Sequence, residues 1–102
     1  MYAYVQDVAG EWATYERVAR VLGDAPPDGM IIRVAGATAT GFRIIDVWDS
    51  PGAWHDYRDL RLRPAMRVVA GDASLVPPTF RDLVVDHAIL NPSSFRRCEP
   101  RQ

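Results

Sequence analysis

Lysine is absent from this sequence, and the 12 basic residues are all arginine. The chain therefore has no side-chain amine that could form a Schiff base with a carbonyl substrate or act as a lysine general base. Cysteine is nearly absent as well. Because Cys98 is the single thiol, the sequence excludes an intrachain disulfide and a zinc site built from several cysteines.

Neither sign of charge dominates, since 12 basic and 13 acidic residues give a net charge of −1. This balance argues against nucleic acid or an anionic membrane as the partner. No apolar run approaches the ~18 residues that a membrane-spanning helix needs. The first residues also lack the basic and apolar segments of a signal peptide. We therefore expect a cytoplasmic protein.

The length of 102 residues and the apolar content of 48% are typical of one globular domain. We place that domain at residues 1–92 and a polar C-terminal tail at residues 93–102. The sequence shows no internal repeat and no low-complexity segment that would divide the domain further.

Hydrophobic patterning predicts four strands and two helices in a fixed order. Aromatic and β-branched residues indicate strands, whereas apolar residues three and four apart indicate helices. Ser50 and Pro51 are typical of a helix start, and Pro64 should kink or split that helix near Arg63. The strands are predicted over 2–8, 30–35, 42–48 and 83–90, and the helices over 10–23 and 51–70. This βαββαβ order predicts an α+β, ferredoxin-like fold with a four-stranded antiparallel sheet.

Three of the predicted strands carry apolar residues on both faces, although two helices can cover only one face of the sheet. A large apolar sheet face left uncovered marks an interface. The sequence therefore predicts a homodimer in which two copies pack sheet to sheet.

The hairpin formed by the second and third strands suggests which side chains share a face. A turn centred on Ala39 would place Asp46 opposite Ile32 and Ile45 opposite Arg33. We expect Asp46 and Trp48 to face the helices, and Arg33 and Arg43 to face the partner chain. A slip of one residue would reverse each face.

Several segments resemble one family. They are residues 41–50 (GFRIIDVWDS), Ala53-Trp54, residues 62–65 (LRPA), Pro27-Asp28-Gly29 and His87. Together they resemble the dimeric α/β-barrel superfamily that includes the antibiotic-biosynthesis-monooxygenase-like proteins, over roughly residues 2–91. The resemblance implies a ferredoxin-like dimer. Members of that superfamily include cofactor-independent oxygenases of aromatic polyketides, haem-degrading enzymes and many proteins without assigned chemistry.

Asp46 and His87 are the candidate catalytic residues. A carboxylate in an apolar setting could serve as a general base, but Asp46 could equally form a structural ion pair with an arginine. His87 could move a proton near neutral pH, or be a hydrogen-bonded core or interface residue. His55 stands too early in its helix to match the iron-binding histidine of the haem-degrading relatives.

The candidate substrate-binding residues are Trp48, Trp54, Tyr57 and Arg43. The three aromatic residues could form flat walls for a planar molecule, or simply pack in the core. Trp12 and Tyr15 carry the same ambiguity. The arginines, Arg33 and Arg43, could bind an anion or pair with acids across the dimer.

Two functions remain open from the sequence. The first, which the resemblance implies, is a monooxygenase-like enzyme that acts on a small aromatic or polyketide-type molecule. It would need no cofactor or metal, because its deprotonated substrate reacts directly with dioxygen. The chain has no metal-ligand spacing and no glycine-rich phosphate loop. The second is a non-catalytic homodimer that binds a small ligand or assists another protein.

Overall fold

A computed structural model of the protein describes residues 1–71 and 78–91. The predicted tail at residues 93–102 lies outside the described residues. The elements are β1 (Tyr2–Ala9), α1 (Trp12–Leu22), β2 (Met30–Ala37), β3 (Gly41–Trp48), α2 (Pro51–Tyr57), a π-helical segment (Arg58–Leu62), α3 (Arg63–Ala70) and β4 (Thr79–Val84). The four strands form one antiparallel sheet in the order β2-β3-β1-β4. This topology confirms the ferredoxin-like prediction.

The middle strands β1 and β3 set which side chains meet the helices. They pair in register, with Tyr2 opposite Trp48 and Tyr4 opposite Asp46, and all four of these residues are buried. Alternation then sends the odd-numbered residues of both strands to the other side of the sheet. The face that carries Asp46 and Trp48 therefore packs against the helices, as the sequence predicted.

Local signals placed the second helical stretch correctly. The Ser50 hydroxyl accepts a hydrogen bond from the Ala53 backbone N–H at 3.2 Å, and Pro51 occupies the first turn. Pro64 cannot donate a backbone hydrogen bond and crowds the carbonyl four residues before it. The helix accordingly widens into a π-helical segment and restarts as α3 at Arg63. The predicted split near Arg63 is confirmed.

The bounds predicted for the fourth strand were wrong. The sequence predicted residues 83–90, whereas β4 runs over Thr79–Val84. Its only neighbour in the described sheet is β1, and Val84 lies opposite Tyr2, where β1 begins. One further hydrogen bond joins the Val85 N–H to the Met1 carbonyl at 2.8 Å, and β1 offers no residue beyond this point for pairing. The apolar residues beyond Val85 therefore have no strand in the sheet with which to pair.

The predicted hairpin register was correct at one end and wrong over the rest. Met30 lies opposite Trp48 as expected, but a bulge at Ile31 shifts the pairing, so that Arg33 lies opposite Asp46. An extra residue in one strand reverses the face of every residue that follows it. Arg33 therefore faces the helices, not the side on which the sequence placed it.

Within residues 1–71 and 78–91, no helix is long and apolar enough to cross a membrane.

Candidate functional site

A buried ion pair between Arg33 and Asp46 lies at the centre of the helix-facing side of the sheet. The Arg33 Nε donates to Asp46 Oδ1 at 2.8 Å, and its Nη2 donates to Oδ2 at 2.7 Å. The Tyr4 hydroxyl and the Trp48 indole N–H also donate to Oδ2, at 2.5 Å and 3.0 Å. Asp46 is 0% exposed, so these donors replace the water that the carboxylate has lost.

Of the two roles that the sequence left open for Asp46, general base or structural ion pair, this geometry is that of the ion pair. A general base must lie within hydrogen-bond reach of the substrate proton. Both oxygens of Asp46 already accept hydrogen bonds from protein donors, and Asp46 does not line the pocket described below. Because Asp46 is also 0% exposed, a substrate in that pocket would not reach the carboxylate.

The groups around Asp46 hold their protons firmly. Burial raises the pKa of Tyr4, and the charge of Asp46 and its hydrogen bond raise that pKa further. For Arg33, burial is the largest influence and lowers the pKa. The hydrogen bond and charge of Asp46 outweigh it, so the pKa of Arg33 is raised. Near neutral pH, Tyr4 and Arg33 therefore both act as hydrogen-bond donors.

Trp48, Trp54 and Tyr57 lie together in the hydrophobic core. With Tyr2 and Tyr4 they form one buried cluster, in which the ring centroids of Trp48 and Tyr57 are 5.2 Å apart and those of Tyr4 and Trp54 are 4.6 Å apart. None of the three predicted binding residues lines the described pocket. Of the two roles considered for these aromatic residues, binding wall or core packing, the structure supports core packing.

A separate pocket of about 340 Å³ lies between the helix-facing side of the sheet and helices α1 and α3. Most of its wall is apolar, including Val18, Phe42, Ile44, Leu62 and Met66. Its polar side chains are Gln6, Thr14, Tyr15 and Arg33. Among the described residues that line it, Arg33 is the one charged side chain.

Arg33 joins the ion pair to the pocket. Its side chain is 17% exposed, and its Nη1 donates to the Tyr57 hydroxyl at 3.4 Å. Tyr15 lines the same pocket: burial raises its pKa, and the charge of Arg33 opposes that rise. The Trp12 ring stacks on Tyr15 with centroids 4.6 Å apart, and Phe42 packs against both rings.

The sequence carried a signal for this pair that the assumed register obscured. Arg33 stands inside an apolar strand, MIIRVA, and Asp46 stands inside another, FRIIDVW. A charged residue in a buried strand needs an opposite charge beside it. Pairing Arg33 with Asp46 would have required a bulge in the hairpin, which the residue pattern does not reveal.

The structure does not bring Arg43, His87 or His55 to the pocket. Arg43 lies on the opposite face of the sheet, as predicted. There its Nε donates to Asp7 Oδ1 at 2.6 Å, and this hydrogen bond holds the pKa of Asp7 below its usual range. His87 is exposed beyond the end of β4, and His55 is exposed on α2. None of the three meets Asp46 in a shared site.

Across the described residues, no three His, Cys, Asp or Glu side chains group in a way that could hold a metal ion.

Comparison with solved structures supports the fold. The "putative antibiotic biosynthesis monooxygenase" from Deinococcus radiodurans superposes with a TM-score of 0.59 over 89% of this chain and 98% of its own, at 16% sequence identity. This chain has the fold of the antibiotic-biosynthesis-monooxygenase-like proteins. The resemblance seen in the sequence is thus confirmed for this fold, and an identity of 16% extends it no further.

A second protein with this description, from Bacillus cereus, has a TM-score of 0.44 and 13% identity over 88% of this chain and 94% of its own. No protein-family model matches the chain. No curated protein matches it either.

Proposed function

We propose that the protein binds a small, largely apolar aromatic molecule in the pocket between the sheet and helices α1 and α3. The observation that carries this proposal is the pocket itself, with its apolar wall and few polar groups. Its volume of about 340 Å³ falls in the range of roughly 300–1,000 Å³ that is typical of small-molecule sites. Two aromatic side chains in its wall, Tyr15 and Phe42, suit a planar ring.

The second candidate is a monooxygenase-like enzyme that uses the same pocket, favoured by the fold shared with the Deinococcus protein. In such a reaction a base removes a proton from an activated CH₂ group of a phenolic substrate, and the carbanion adds to dioxygen. The O–O bond then breaks, one oxygen stays on carbon as a ketone, and the other leaves as water. No described residue that lines the pocket is a carboxylate or an imidazole. Binding is therefore the better supported function.

The test of binding is a thermal unfolding series with naphthol, anthrone, haem and an aliphatic acid. A ligand of the folded state at about 100 times its Kd adds about 2.7 kcal/mol of stability, which raises the Tm of a domain this size by about 10 °C. We expect such a shift with naphthol or anthrone. Ala19→Phe should abolish the shift, because Ala19 lines the pocket. Ala13→Phe, at an exposed position of the same helix, should retain it.

Two results would contradict the proposal. One is the absence of a shift with every aromatic probe in the unsubstituted protein. The other is an equal shift in Ala19→Phe, which would place the ligand elsewhere. A separate assay, oxygen uptake with anthrone, distinguishes the enzyme from the binding protein. Only the enzyme consumes dioxygen in proportion to the ketone formed.

The proposal includes a homodimer formed through the open sheet face, which we define as the side away from the helices. Its apolar residues include Val34, Ile45 and Leu83, which are 50%, 40% and 59% exposed. The same face carries Asp7 and Arg43, so both charge signs are present on it. A surface that is apolar and holds both signs can pack against its own copy around a two-fold axis.

Light scattering tests the dimer at micromolar concentration. We expect a mass of about twice the 11.4 kDa of the chain, because water-exposed apolar area on that face is removed on association. Ile45→Arg places a charge in the middle of the face and should reduce the mass to that of one chain. A monomer in the unsubstituted protein would contradict the dimer and leave the pocket proposal intact.

A further inference from the structure

We propose that Arg33 and Tyr15 recognise an oxygen atom of the bound molecule, and that Asp46 makes the pocket prefer a neutral oxygen over a carboxylate. The preferred ligand is then an aromatic ring that bears a phenol, ketone or enol. This inference rests on the proposed binding function, and it names the chemistry of that ligand.

The hydrogen bonds of Arg33 show which of its donors can serve a ligand. A guanidinium has five N–H groups. The Nε and Nη2 atoms are engaged by Asp46 at 2.8 Å and 2.7 Å. The Nη1 atom makes a contact of 3.4 Å with the Tyr57 hydroxyl, beyond the usual 2.7–3.2 Å of a good N–H···O bond. Nη1 can therefore give a shorter hydrogen bond to an oxygen that enters the pocket.

Tyr15 supplies a second polar group at the same place. Tyr15 and Arg33 both line the pocket. Because burial raises the pKa of Tyr15, its hydroxyl is neutral near pH 7 and keeps a proton to donate. The two side chains can approach one oxygen together, and the rest of the wall offers mainly apolar contact.

Charge decides which oxygen is favoured. Arg33 lies against Asp46, so the pair brings no net charge to the pocket wall. A carboxylate would lose its hydration on entering an apolar pocket without meeting an uncompensated positive charge. A phenol or ketone loses far less hydration and regains a hydrogen bond to a charged donor. An unsubstituted hydrocarbon gains neither hydrogen bond.

The test is isothermal calorimetry with three probes that share one ring system: naphthalene, naphthol and naphthoate. We expect naphthol to bind at least about 10-fold more tightly than the other two, since a hydrogen bond to a charged group changes affinity by that order. Tyr15→Phe should weaken naphthol by about 3-fold or more and leave naphthalene unchanged. Tyr2→Phe, which removes a hydroxyl bonded to Asp82 away from the pocket, is the matched control.

Asp46→Asn tests the role of charge. Asparagine can still accept a hydrogen bond from Arg33, but the pocket wall then carries one uncompensated positive charge. Naphthoate should gain about 10-fold relative to naphthol. Equal affinities for naphthol and naphthalene would overturn this inference while the pocket function stands. So would a folded Asp46→Asn in which the affinity for naphthoate relative to naphthol is the same as in the unsubstituted protein. Failure of all three probes would overturn the binding function itself.

Discussion

Arg33→Met is expected to lower the free energy of unfolding by about 3–5 kcal/mol. The substitution keeps an unbranched side chain but leaves Asp46 charged and 0% exposed without its cation. An uncompensated charge in the interior costs far more than a lost surface contact. Urea unfolding followed by tryptophan fluorescence measures the change directly, because Trp48 and Trp54 are buried and Trp48 donates a hydrogen bond to Asp46.

Two further variants show whether burial of the charge is the cause. Arg43→Met breaks the exposed pair with Asp7 on the other face of the same sheet and should cost less than about 1 kcal/mol. The double variant Arg33→Met/Asp46→Asn removes the charge yet keeps an acceptor for Tyr4 and Trp48. It should recover about 2 kcal/mol or more of the loss. If the double variant lost as much stability as Arg33→Met and Asp46→Asn together, each measured alone, this explanation would be contradicted.

Trp48→Ala is the second substitution with a large expected effect, a loss of about 3–5 kcal/mol. Trp48 is 0% exposed, packs against Trp54 and Tyr57, and donates its indole N–H to Asp46. The substitution therefore leaves a cavity and removes one of the donors that satisfy a buried carboxylate. Against a total stability of about 5–15 kcal/mol, such a loss brings the domain close to unfolding.

Denaturant unfolding of Trp48→Ala beside Leu60→Ala tests this expectation. Leu60 is 73% exposed, so its truncation should change stability by no more than about 0.5 kcal/mol. The experiment also separates the two interpretations of the aromatic cluster. If Trp48→Ala remained as stable as the parent and lost ligand binding, Trp48 would belong to a binding wall, and the core assignment made from the structure would fail.

The buried ion pair and the pocket are two different parts of the molecule. The sequence analysis had combined Asp46 with Trp48, Trp54 and Tyr57 in one candidate site. In the structure these residues are buried and do not line the described pocket, whereas Arg33 both contacts Asp46 and lines that pocket. The chemistry available to a ligand is consequently that of hydrogen-bond donors in an apolar setting.

Residues close in sequence were sufficient to predict most of the elements. Ser50 and Pro51 marked the start of α2, and Pro64 marked the split of the second helix, because helix caps and proline act within one turn of the chain. The two helices and the hairpin likewise followed from local hydrophobic periods. The order of these elements was then enough to predict the topology.

The parts that failed depended on partners distant in sequence. Nothing within the segment 83–90 shows that its neighbouring strand begins at Tyr2, so only the sheet could set the end of β4. The residues near Arg33 likewise give no sign of the bulge at Ile31 that turns Arg33 toward Asp46.

The sequence by itself determined the element types, their order and the presence of Arg33 and Asp46 in apolar strands. Only the tertiary structure decided that these charges pair, that the aromatic residues form the core and that a separate pocket exists. Helix starts and turns are set by interactions within a few residues. Strand register and cavities depend on how distant segments meet, and one extra residue reverses every face that follows it.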